Sequence, residues 1–137
     1  MNRADLQKLS RLRLQEARSL FAQMHYSGAY YLAGYAVECA LKACIAKDTQ
    51  RFDFPDKTRV NGSYSHKPGE LLKIASLTDD LQQATQSNPN LGASWNVVNN
   101  WSEQSRYLVW SRTEADAMIK AVGRLHDGVL PWIKHRW

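Results

Sequence analysis

The chain has 137 residues, of which 44% are hydrophobic and 23% charged, and it carries a net charge of +5. That length corresponds to about one domain, and a domain of this size buries roughly two-thirds of its unfolded surface, so it has no need of covalent or metal staples. The positive balance points to anionic partners (nucleic acid, nucleotides or an acidic protein) or to a merely soluble basic protein, because the 18 basic residues are scattered rather than run together.

The N-terminal string MNRADLQKLSRLRLQEA is polar and helical in pattern and does not read as a signal peptide. Residues 3–25 are predicted as a helix, with Leu6, Leu9, Leu14, Ala17, Leu20, Phe21 and Met24 at helical steps. Arg3, Lys8, Arg11, Arg13 and Arg18 fill much of the rest as a solvated face, with Asp5 and Glu16 nearby. After a break at His25–Gly28, a second helix is predicted to about Lys47, apolar nearly all round. Its polar positions Gly34, Glu38 and Lys42 recur every four residues and form one narrow stripe, with Glu38 and Lys42 in the favourable order for an ion pair. Two charges in mid-segment are expensive in lipid, so Ala29–Ala46 reads as a buried central helix rather than a membrane span. Such a helix has to be covered on most sides, by the bundle or by a second subunit.

Cys39 and Cys44 lie on this helix, about 140° apart around its axis. They cannot bridge each other there and lack further ligands at zinc spacing, so they read as core thiols of a cytoplasmic protein. Residues 48–65, with Pro55 and Asn61-Gly62, are predicted as a long loop. A third helix is expected from Ser65 or His66 with Pro68 in its first turn, then a short one over 79–86 capped by Thr78. Residues 91–104 follow as helix, then an apolar-aromatic run of open type at SRYLVWSR. Thr113 with Asp116 makes a capping box for the last helix, which Pro131 should kink, and the tail KHRW should fray. The sum is a single all-α domain over 1–137, an up-and-down bundle of about five helices.

No phosphate-binding loop, dinucleotide fingerprint, metal-ligand cluster or nucleophile signature is present. No cofactor or metal is therefore expected. Three strings, however, resemble one family. AYYLAGYAVECALKACIAK (29–47), SYSHKPGELLKIA (63–75) and WSEQSRY (101–107) are similar, in that order, to segments of HEPN domains, the higher eukaryote and prokaryote nucleotide-binding family. The resemblance implies a helical bundle that works as a homodimer in a toxin–antitoxin, defence or RNA-processing setting, often beside a nucleotidyltransferase partner. Active members are metal-independent RNases with an Arg followed, after four to six residues, by a His. Arg106 matches that Arg, whereas Ser111, Arg112 and Thr113 stand where the His should fall. Arginine stabilises a phosphorane's charge but cannot act as a base. The expectation is therefore a module that binds RNA, nucleotide or a nucleotidyltransferase without cleavage. The alternatives are a divergent RNase using Arg106 with Glu38 or His66, and a structural dimer.

Arg59 and His66 form a literal Arg-x6-His match, but in the wrong part of the chain. Glu38 and Arg106 are candidates to pair at a phosphate site, or to form an ion pair that only fixes bundle register. Tyr35, Tyr107 and Trp110 could stack on bases, or serve as core and dimer contacts, and Lys42 and Arg112 are further candidates for binding an anion.

Overall fold

The computed structural model describes residues 1–49, 53–54 and 56–137. The described residues form eight α-helices and no strand: α1 (Arg3–Ala22), α2 (Tyr26–Asp48), α3 (Lys57–Ser63), α4 (Pro68–Ile74), α5 (Thr78–Ser87), α6 (Pro89–Asn99), α7 (Arg112–Gly123) and α8 (Val129–Lys134). A single 3-10 turn, Glu103–Tyr107, lies between α6 and α7. All-α architecture is thus as expected, but the helices are more numerous and shorter than the five predicted. The expected Pro55, and residues 50–52 of the long loop, lie outside the described residues.

The bundle is built around α2. Ala29, Ala33, Ala36, Ala40 and Ala43 have no exposed surface, and Val37 and Leu41 are equally buried. The small residues let α1 approach closely, and Ser10 of α1, itself buried, donates to the Ala36 carbonyl at 2.7 Å. Besides α1, the helices α4, α7 and α8 and the 3-10 turn pack on α2. Its apolar surface is therefore covered within one chain, and a second subunit is not needed for that purpose. No described helix is long and apolar enough to cross a membrane.

Several boundaries move for identifiable reasons. The first connection is Gln23–His25, and α2 already begins at Tyr26, so Ser27 and Gly28 are helical. Met24 adopts φ 64° and the His25 amide closes back on the Leu20 carbonyl at 2.8 Å, a left-handed stop that is usually the business of glycine. Part of the expected loop is α3, started by the Asp56 carboxylate, which accepts from the amides of Thr58 and Arg59. Pro68 opens α4 as predicted. Thr78 does not cap α5 but is its first residue, and Leu77 precedes it without a side-chain cap.

The capping box of α7 is Ser111 with Glu114, not Thr113 with Asp116. The Ser/Thr-x-x-acid pattern occurs twice in this stretch, and the chain uses the first. Asp116 instead pairs with Lys120 at 2.7 Å. The last helix is not kinked at Pro131. It stops at Gly123, and Pro131 sits in the first turn of α8, where amides have no helical partner to lose. The tail is held rather than frayed: Trp137 is buried and its carbonyl accepts from Arg3 at 2.5 Å.

Both cysteines are free and buried. Burial pushes each thiol up from 9.0 to about 11, with the neighbouring carboxylates Glu38 and Asp48 adding to it. The fold thus keeps protons that the unfolded chain gives up above about pH 9. The stability that the two thiols contribute should be fully present below that pH and be lost as pH rises towards about 11. In the same way, a thiol reagent at pH 8 should leave native protein unlabelled and modify both cysteines in urea. Rapid native labelling would show that α2 opens locally.

Candidate functional site

One stripe of α2 runs Tyr31, Tyr35, Glu38, Lys42, spaced by four, three and four residues, and so spans about 16 Å along one face. At one end, Tyr31 lies 5.6 Å from the ring of Trp101 and 6.1 Å from that of Tyr35. Trp101 is 1% exposed and donates from Nε1 to the Tyr31 carbonyl at 3.1 Å. It fits there because residue 34 is glycine, where any β-carbon would collide with the indole.

Trp101 leads into the 3-10 turn that carries Arg106. The turn is opened by Ser102, whose hydroxyl accepts from the Gln104 amide at 3.2 Å. Arg106 is exposed, with its guanidinium 4.8 Å from the centre of the Tyr107 ring. The phenols of Tyr107, foremost, and Tyr31 raise its pKa further above the usual arginine range. Among the described residues no carboxylate forms an ion pair with it. Beyond it the chain is extended, and Tyr107, Leu108 and Val109 are exposed, Val109 to 93%. Trp110 turns inward instead. It stacks on Tyr30 at 3.7 Å, its ring N–H donates to the Ser105 carbonyl and its amide to the Ser27 hydroxyl, both at 2.9 Å. It is a structural staple and not a free stacking surface.

At the other end of the stripe is a charged cluster. The Glu38 side chain is 4% exposed, and its Oε1 accepts from Lys42 Nζ at 3.0 Å, the pair foreseen from their spacing. His66 Nδ1 lies 2.9 Å from the same oxygen, so with a carboxylate as acceptor it is the nitrogen that carries the proton. This leaves Nε2 without the proton, on a side chain that is 47% exposed. Glu38 Oε2 is buried with no hydrogen-bond partner among the described residues. On the α1 side, Arg13 pairs with Glu16 at 2.6 Å and lies 6.0 Å from the centre of the Tyr35 ring.

Of the residues singled out in the sequence, Tyr35, Glu38, Lys42 and His66 are therefore brought together, and Arg106 and Tyr107 stand at the Tyr31 end. The proposed Glu38–Arg106 pair is not formed. Arg106 associates with Tyr31, which is seven residues, about 10 Å, from Glu38 along α2. Arg112 is exposed at the start of α7, and no hydrogen bond or ion pair among the described residues joins it to either site. The literal Arg59–His66 match is also separated: Arg59 donates to the carbonyls of Ile45 and Ile74, both at 3.3 Å, while His66 turns to Glu38. Tyr31 and Arg13 were missed. The four-residue step from Tyr31 to Tyr35 was available as a signal, but Arg13 lies on another helix and looked like one more solvated arginine. No group of metal-ligating side chains is assembled among the described residues.

The family model of the HEPN domain matches residues 5–130, nearly the whole chain. The chain belongs to the HEPN domain family, helical modules associated with nucleotides and RNA that commonly dimerise. No curated protein and no solved structure matches it.

Proposed function

We propose that the chain is a dimeric binding and regulatory module of a toxin–antitoxin or defence-like system, which takes RNA or nucleotide phosphate at the Arg106 end of the α2 stripe without cleaving it. The observation that carries this reading is Arg106 itself: an exposed cation with no carboxylate partner among the described residues, set against tyrosine rings. A permanent guanidinium suits a phosphate, and the partly buried rings of Tyr31 and Tyr35 with the exposed Tyr107 offer aromatic surface for unpaired bases. Ser111, Arg112 and Thr113 supply no group that moves a proton near neutral pH. The exposed strip Tyr107–Val109 gives a second copy, or a nucleotidyltransferase partner, an apolar surface to cover.

A second reading rests on a specific contact. Glu38 orients His66 as a carboxylate orients a catalytic histidine, so Nε2 of His66 could take the proton of a ribose 2′-hydroxyl. The 2′-oxygen would form a bond to phosphorus as the P–O5′ bond breaks, and the leaving 5′-oxygen would take a proton from water, leaving a 2′,3′-cyclic phosphate.

One experiment separates the two. The purified chain is incubated with a mixed RNA pool in EDTA, and binding and cleavage are followed for wild type, Arg106→Ala and His66→Ala. The expected result is binding without cleavage, weakened about tenfold in Arg106→Ala, as for loss of about 1.4 kcal/mol of contact. Cleavage by wild type that disappears in His66→Ala would overturn the binding reading in favour of the second.

A further inference from the structure

A second basic feature lies where α1 meets α8. The guanidinium of Arg11 and the ammonium of Lys134 both approach the ring of Trp137, at 4.8 and 6.0 Å from its centre. Arg18, seven residues along α1 from Arg11 and hence on the same face, reaches the Gly123 carbonyl at the end of α7 at 3.5 Å. Among the described residues, none of these three cations has a carboxylate within ion-pair distance, and Arg11 and Lys134 make no hydrogen bond. The repulsion is felt: burial first, then the charges of Arg11 and Arg18, lower the pKa of Lys134. Like charges gathered without compensation work against the folded state, and a polyanion would relieve them.

We propose that Arg11, Arg18 and Lys134 form a track for the phosphate backbone of single-stranded RNA, separate from the Arg106 end of the α2 stripe. The inference rests on the RNA reading above and extends it to a second contact. The track reads charge and not bases, because the ring at its centre, Trp137, is buried and already covered by the two cations. An acidic protein is a poorer fit, since protein interfaces centre on an aromatic or apolar anchor entering a pocket.

The test is fluorescence anisotropy of a labelled mixed-sequence single-stranded RNA with the full chain over a range of salt concentrations. The triple variant Arg11→Gln/Arg18→Gln/Lys134→Gln is compared with wild type, with the charge-preserving Arg11→Lys/Arg18→Lys and with Arg106→Ala, each checked for folding by circular dichroism. Loss of three phosphate contacts should weaken binding at least tenfold at low salt and reduce the slope of log K against log salt by about 2. The lysine variant should keep the wild-type slope. A triple variant with unchanged affinity and slope overturns the track, as does tighter competition by polyaspartate than by polyuridylate. A fall in the triple variant with Arg106→Ala unaffected would retain the track and remove the stripe, so the two readings fail separately.

Discussion

Trp101→Ala is expected to lower the stability of the fold by about 3–5 kcal/mol, the range for deleting a large buried aromatic. Set against the 5–15 kcal/mol of a typical domain, that is a large share of the total, and the melting temperature should drop by more than about 10 °C. Two losses combine: the indole fills the space over Gly34, and its N–H satisfies the Tyr31 carbonyl. Gly34→Val should also destabilise, by roughly 1–3 kcal/mol, because the added carbons have nowhere to go but into that ring. The double variant should then cost clearly less than the sum, since removing the indole opens the room that valine needs. Urea denaturation of the four proteins checks this, and strict additivity would show that the two residues do not share one space. The same variants should release the 3-10 turn and weaken whatever Arg106 binds, without touching His66.

Lys42→Met is expected to cost about 1–3 kcal/mol. Breaking a buried pair by removing one partner ordinarily costs 3–5 kcal/mol. Here Lys42 is 22% exposed and His66 remains as a second partner to the buried Glu38 oxygen, so the figure is discounted. Glu38→Leu should cost less than Lys42→Met, because the lysine left behind can carry its charge into solvent on its flexible stem. Leucine at both positions should fall within about 1 kcal/mol of wild type, since it removes the buried charge together with its partner. Unfolding curves at neutral pH decide the order. If Lys42→Met proves harmless, the carboxylate does not depend on this ammonium, and His66 alone holds it.

The sequence made the α2 helix, its burial and the Glu38–Lys42 pair legible, because each follows from periodicity or from a four-residue step. His66 is 28 residues from Glu38, and no local spacing announces that meeting. It depends on how α4 is carried across α2. The α3 helix was hidden by its own ending: Asn61-Gly62 reads as a turn signal, whereas Gly62 is helical and lies so close to Ile74 that a side chain there would meet it. The α7 cap was ambiguous because two overlapping patterns satisfied the same rule. The Arg11–Arg18–Lys134 group joins helices from the two ends of the chain and leaves no trace in either stretch alone.

The five fully buried alanines of α2 have a consequence for how such chains diverge. A residue with no exposed surface, packed on neighbouring helices, answers to volume and not to chemistry. Most of the string that makes this chain recognisable is fixed in that way, whereas Arg106 and His66 sit on exposed ground and answer to whatever they touch. A lineage built on this helix can therefore exchange a nuclease for a binding protein through a few surface substitutions while its family signature stands unaltered. Positions 111–113, at the exposed start of α7, are the kind of place where such a scaffold absorbs a substitution at almost no structural cost.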